Sequence, residues 1–121
     1  PGLRTVEEPR ALADAVHAHA AANTLVVIDC LTLWLTNLLM PADGAPRDSV
    51  EPVAGLRRAI ERAAGPVVLV SNEIGLGVIP LGRETRAFVG ALGGLNQTVA
   101  AACERVTWMA AGLPLSVKAP A

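Results

Sequence analysis

The chain has 121 residues, 52% hydrophobic and 17% charged, with a net charge of −1. That is the length of one ordinary domain, and the composition supports a packed core and excludes a disordered chain. No Lys/Arg run is present, which argues against a nucleic-acid partner, since such proteins carry a basic stripe to neutralise phosphates. The core must be aliphatic, because the aromatic residues are Trp34, Phe88 and Trp108 alone. Cys30 and Cys103 stand far apart and form no C-x-x-C pair, which favours reduced thiols and a cytoplasmic protein. The most apolar stretch, Cys30 to Met40, falls short of the about 20 residues that a bilayer span requires.

Residues 8–21 read as a helix, with Pro9 near its first turn, where the missing N–H costs nothing, and Asn23 as its stop. Residues 24–29 (TLVVID) form an apolar, β-branched run that predicts a strand buried on both faces. Residues 31–40 follow as a helix, with Leu31, Trp34, Leu35, Leu38 and Leu39 at helical spacing. A polar Pro/Gly/Asp loop occupies 41–49. A third helix spans 50–64, with Arg57, Arg58, Glu61 and Arg62 on a solvated face, and Gly65-Pro66 breaks it. Residues 67–71 (VVLVS) read as a second buried strand, and the glycine-rich 72–82 as an irregular loop. Residues 84–104 are expected to be helical in two pieces, with a kink or break at Gly90, Gly93 and Gly94. Residues 106–111 read as a third strand, and 115–118 return as an edge strand after Gly112 and Pro114. This order predicts an α/β fold with a mainly parallel sheet flanked by helices.

Ligands of such sheets bind beyond the carboxyl ends of the strands. Asp29 and the pair Asn72-Glu73 fall there, on two different strands. A carboxylate at position 29 suits Mg²⁺ beside a nucleotide phosphate, but it equally suits the cap of the following helix. The glycines at 75 and 77 let a backbone approach a ligand closely or simply turn the chain. Arg83 and Arg86 have the chemistry to meet phosphate, or to pair with Glu84 at a helix start. Asn96 and Gln97 interrupt an apolar helix, and a buried amide there needs partners, so they are candidates to fix a neighbouring loop. His17 and His19, two apart on a helix, face different ways and make a poor metal or acid–base pair. No G-x-x-x-x-G-K-[ST] motif occurs.

Four blocks of the sequence resemble the adenosylcobinamide kinase / adenosylcobinamide-phosphate guanylyltransferase family. They are DCLTLWLTNLL at 29–39, VSNEIGLGVIP at 70–80, GGLNQ at 93–97 before an alanine-rich helix, and GLPL at 112–115 closing with Lys118. The blocks stand in the family's order and spacing. Arg4-Thr5-Val6-Glu7 resembles the end of the family's W-[RK]-T-x-E segment, with Leu3 in place of tryptophan. The resemblance implies a RecA-like P-loop NTPase fold lacking its first strand-loop-helix unit, so that 1–121 is a single, partial domain. It implies two reactions: phosphorylation of adenosylcobinamide with ATP or GTP, and transfer of GMP from GTP to adenosylcobinamide phosphate through a guanylylated histidine. It also implies Mg²⁺, a homotrimer, and Glu7 and Asp29 as nucleotide-binding residues. Asn72, Glu73 and Arg86 become a candidate site loop. The family's histidine and P-loop are expected upstream of Pro1, so no catalytic residue is assigned and the chain alone is expected to be inactive. A doubly wound sheet without that first unit is also expected to expose apolar surface. One departure stands out: Phe88-Val89-Gly90 replaces the family's F-R-D. The alternative implied by that loss is a non-catalytic relative that keeps the fold for binding or assembly.

Overall fold

The computed structural model describes residues 2–74 and 82–121. The elements run α1 (Leu12–His19), β1 (Val26–Asp29), α2 (Leu31–Leu39), α3 (Val50–Arg62), β2 (Val67–Val70), α4 (Arg83–Ala102), β3 (Val106–Ala110) and β4 (Leu113–Lys118). The class is α/β, as expected. Most of the glycine-rich loop lies outside the described residues. So does Pro1.

Helix α1 starts later than the sequence pattern implies. The Glu8 carboxylate accepts from the backbone N–H of Arg10 (3.2 Å) and Ala11 (3.1 Å). This turn holds Pro9 ahead of the helix rather than in its first turn. Those two donors, Ala11 first, hold the Glu8 carboxyl below the usual glutamate range. The helix ends at His19, before Asn23, because Ala20 is extended and Thr24 N–H closes a turn on Ala21 O at 3.0 Å.

The strands β1 and β2 pair in parallel, with Val26 opposite Val67, Ile28 opposite Leu69 and Asp29 opposite Val70. Side chains alternate across a strand. Val26, Ile28, Val67 and Leu69 therefore share the inner face, where Ile28 joins one core with Leu12, Val16, Leu31, Trp34, Leu35, Leu38, Leu56, Phe88, Leu92, Leu95 and Val99. All four helices contribute to that core. The outer face is open: Val27 is 53% exposed, Val68 47% and Val70 42%. The expectation of strands buried on both faces is corrected here, because every helix packs on the same side.

Helix α2 is fixed to the segment entering α1 by two side-chain bonds, Trp34 Nε1–H to Arg10 O (2.8 Å) and Asn37 Nδ2–H to Pro9 O (3.1 Å). The solvated face of α3 carries the ion pairs Arg57–Glu61 and Arg58–Glu51. Helix α4 is a single 20-residue helix, not two pieces. Glycine is permitted in a helix at a cost of about 1 kcal/mol each relative to alanine; burial of Phe88, Leu92, Leu95 and Val99 along one face carries the helix through.

The sheet is also not one mainly parallel sheet among the described residues. β1 and β2 form one parallel pair; β3 and β4 form a separate antiparallel pair. Ala111 (φ 52°) and Gly112 (φ 75°) both adopt positive φ, and Ala110 pairs with Leu113, the geometry of a two-residue hairpin with the type I′ turn. A local hairpin closes a short loop, which costs less entropy than pairing across the chain. Lys118 Nζ reaches back to Ala100 O (2.9 Å) and Ala101 O (3.4 Å), placing a cation on the carbonyl end of α4. Trp108, Leu113, Leu115 and Val117 remain exposed. Exposed apolar surface is thus found on both sheets. Among the described residues no helix is long and apolar enough to cross a membrane.

Two glycines should respond oppositely to alanine. A Cβ at Gly94 meets nothing within 4 Å, whereas at Gly65 it would run into the Ala21 carbonyl. Gly94→Ala is expected to raise stability by about 0.5–1 kcal/mol, and Gly65→Ala to lower it by about 1–3 kcal/mol; denaturant titrations measure both.

The depressed Glu8 pKa gives a second prediction. Its contribution is complete above the unfolded-state glutamate pKa and is lost as pH falls through the lower folded value. The Arg10 and Ala11 amides should therefore lose exchange protection on acidification, and Glu8→Gln should abolish that pH dependence.

Candidate functional site

The carboxyl ends of β1 and β2 lie side by side, and one hydroxyl links the segments that leave them. Thr32, in the first turn of α2, accepts from Asn72 N–H at 3.2 Å through Oγ1. The carbonyl of the same residue accepts from Thr36 Oγ1 at 2.9 Å. Asn72 and Glu73 are thereby held next to the start of α2.

Asn96, half-buried on α4, makes the other link. Its Oδ1 accepts from Ser71 Oγ at 2.6 Å, and its Nδ2 donates to Asn72 O (3.0 Å) and Glu73 Oε1 (2.9 Å). The amide orientation is dictated by its surroundings: a flipped Asn96 would set its oxygen against a carbonyl and a carboxylate. The expected loop-fixing role therefore falls to Asn96. Gln97 is exposed and takes no part. A small cavity of about 40 Å³ adjoins the cluster, lined by Asn72, Glu73, Ile74, Val89, Leu92, Gly93 and Asn96.

Asp29 ends β1 on the open face of the sheet and is exposed. It does not cap α2. Cys30 is the N-cap residue, and its Sγ accepts from Leu33 N–H at 3.5 Å. Among the described residues the Asp29 carboxylate takes no hydrogen bond or ion pair, so it is available to a ligand. As a lone carboxylate it fits an ion such as Mg²⁺, which commonly takes one or two protein carboxylates and fills its shell with phosphate oxygens and water.

Arg86 is exposed in the first turns of α4, and neither it nor Arg83 pairs with Glu84 among the described residues. Positions 86, 89, 93 and 96 recur at helical spacing, which sets Arg86 on the stripe that carries Asn96, about 15 Å further towards the helix N-terminus. Glu7 is exposed in the extended lead before α1. That lead is anchored on one side by Arg4 to His19 Nδ1 at 3.1 Å. The structure thus brings Thr32, Ser71, Asn72, Glu73 and Asn96 into one bonded cluster and sets Asp29 beside it, while Glu7 and Arg86 make no direct bond to either. Neither Ser71 nor Thr32 stands out from the sequence alone, although a hydroxyl at a strand end and another in the next helix's first turn are the available signal. Burial pushes the Cys103 thiol up, opposed by Lys118, so it stays protonated at neutral pH and is no nucleophile.

A family model for cobinamide kinase / cobinamide phosphate guanyltransferase matches residues 1–117. The chain belongs to this family. It is 46% identical over 115 residues to a bifunctional adenosylcobalamin biosynthesis protein, CobP, of Pseudomonas aeruginosa, covering 95% of this chain and 65% of that protein. It is 33% identical over 127 residues to the bifunctional adenosylcobalamin biosynthesis protein CobU of Escherichia coli, covering 95% of this chain and 70% of the relative. The corresponding values for CobU of Salmonella typhimurium are 32% over 126 residues. The chain therefore spans somewhat under two thirds of the Pseudomonas protein's length and slightly more of the other two. The family model covers both the β1–α2 junction that carries Asp29 and the α4 segment that carries Asn96.

The capping assignment is testable by stability alone. Asp29→Asn should change the unfolding free energy by less than about 0.5 kcal/mol. Cys30→Ser, which puts a stronger acceptor at the cap, should raise it by about 0.5–1 kcal/mol. A loss at Asp29 with no response at Cys30 would return the cap to Asp29.

Proposed function

We propose that this chain supplies the nucleotide- and magnesium-facing part of an enzyme that phosphorylates adenosylcobinamide with ATP or GTP and transfers GMP from GTP to adenosylcobinamide phosphate. One observation carries the reading: the Asp29 carboxylate stands uncapped and unpaired among the described residues at the carboxyl end of β1, where ligands of parallel sheets bind. Family membership supplies the reaction class.

Asp29 would hold Mg²⁺ directly or through water. The ion, when bound, neutralises charge on the phosphoryl group in transfer. Glu7 accepts hydrogen bonds from the nucleotide, and the Arg86 guanidinium meets a phosphate. Asn72 and Glu73, fixed by Thr32 and Asn96, form the neighbouring wall. No histidine of this chain is assigned the GMP-carrying role, since His17 and His19 lie on or at the end of α1, away from this junction. A histidine upstream of Pro1 in the complete protein takes that role in this proposal. To the same proposal belong a RecA-like arrangement of the complete nucleotide-binding domain, of which 1–121 is one part, a homotrimer, and a cytoplasmic location.

A second reading, a non-catalytic relative, is favoured by one feature. Val89 lines the cavity beside Asn96 and Gly90 is exposed, where the family carries an arginine and an aspartate.

GTP-dependent turnover of adenosylcobinamide by the complete protein separates the readings. Asp29→Asn should lower turnover by about 100-fold or more and raise the Mg²⁺ requirement, with an unchanged thermal midpoint. Unchanged turnover and Mg²⁺ requirement would remove Asp29 from the site. A folded wild-type protein that binds GTP without turning it over would favour the non-catalytic relative. The 121-residue chain alone, which has no G-x-x-x-x-G-K-[ST] loop to cradle phosphates, should turn over none.

A further inference from the structure

We infer that Asn96 is a positioning residue for the reaction. It holds the Glu73 carboxylate in one orientation, so that the second carboxylate oxygen is presented at the β2 end as an acceptor for a hydroxyl of the bound substrate. The inference rests on the functional reading above and extends it to a residue that does not itself touch the substrate.

The geometry assigns each polar atom of Asn96 a task. Oδ1 accepts from Ser71 Oγ at 2.6 Å. The two Nδ2 protons go to Asn72 O at 3.0 Å and Glu73 Oε1 at 2.9 Å. All the donors of this amide are used, and none can be moved without leaving another group unpaired. A loop residue with an exposed carboxylate ordinarily samples several rotamers. Glu73 is instead tethered through Oε1, while Oε2 takes no bond from the described residues. No cation among the described residues forms an ion pair with Glu73, so its tether is a neutral donor.

The platform behind Asn96 is rigid. Leu92, Leu95 and Val99 of the same helix are buried, so a side chain at 96 is carried by a helix locked in the core. The other end of the loop is held through Asn72 N–H by Thr32 Oγ1, from α2. Ser71 to Glu73 is therefore clamped from two helices, with hydrogen-bonding groups positioned by secondary structure rather than by the loop itself. Positioning of this kind affects rate more than affinity, because misplacement of a reacting group is felt most in the transition state.

Steady-state turnover of GTP with adenosylcobinamide by the complete protein tests this in a double-mutant cycle of Asn96→Ala and Glu73→Gln, with Asn96→Asp as the size-matched variant. Each single change should lower kcat by about 10- to 100-fold with less than about a threefold change in KM for GTP. The double variant should be no worse than the poorer single one, since Asn96 acts through Glu73. Asn96→Asp keeps an acceptor for Ser71 but cannot donate to Glu73, so it should be as slow as Asn96→Ala while remaining folded by thermal melt. Multiplicative losses in the double variant, or recovery of turnover in Asn96→Asp, would overturn the proposal, because either outcome shows Asn96 acting independently of its bond to Glu73. Asp29→Asn run alongside tells the two readings apart. An inert Asp29→Asn with a coupled Asn96–Glu73 pair removes the magnesium assignment and keeps this one; a slow Asp29→Asn with uncoupled or silent changes at 73 and 96 does the reverse. Wild-type protein without any GTP turnover would sink both.

Discussion

The one-sided burial of the parallel pair is the constraint on which the rest of this structure depends. Four helices share a single core against the inner face of β1 and β2, and nothing among the described residues covers the outer face. Because side chains alternate along a strand, the register that places Ile28 in the core also places Asp29 on the opposite face. A one-residue slip would bury the carboxylate and expose Ile28, at a cost in both desolvation and lost apolar contact. The position of the most functionally suggestive acid is thus dictated by packing on the side it does not occupy.

The same constraint divides the site into two surfaces. Asp29 belongs to the open face, whereas Glu73 is held from the helical side, through Asn96 of α4. The two carboxylates come from adjacent strand ends but are supported by different elements, so the orientation of one does not fix that of the other. The Thr32 hydroxyl joins the two sides, since it lies on the helix after Asp29 and accepts from the backbone of Asn72.

Much of this is legible in the sequence where local patterns dominate. The apolar runs ending at Asp29 and Val70 identify both parallel strands, and the Leu31, Trp34, Leu35 and Leu38 spacing identifies the buried face of α2. The strand-end position of Asp29, Asn72 and Glu73 comes directly from those runs. The sequence misleads where tertiary packing outweighs local propensity. Gly90, Gly93 and Gly94 read as a break, yet the flanking Phe88, Leu92 and Leu95 bury one continuous face and offset the glycine cost. The side on which helices pack is not encoded in an apolar run, so both strands read as covered on two faces. The turn at Gly112 and the returning strand after it are legible, two residues short at its start; what is not legible is that β3 and β4 pair apart from β1 and β2, because the Ala111-Gly112 turn, with positive φ at both residues, is weaker in sequence than the Asn-Gly that usually signals a tight hairpin. The Asn96 amide is recognisable as needing partners, but which partners depends on a contact across more than 20 residues of chain.

Asp29 and Cys30 show how a shift of one residue changes a functional reading. An acid immediately before a helix is a natural cap, and from sequence the two roles of Asp29 compete. In the structure the helix begins one residue later than a cap at 29 would require, and the thiol of Cys30 takes the Leu33 amide instead. Sulfur is a weak acceptor, so this cap is a poor choice for stability alone. It frees a carboxylate that would otherwise be engaged with its own helix. A stronger cap at position 29 would stabilise α2 but would turn the acid away from any ligand, the kind of trade between local stability and an available charge that binding sites commonly make.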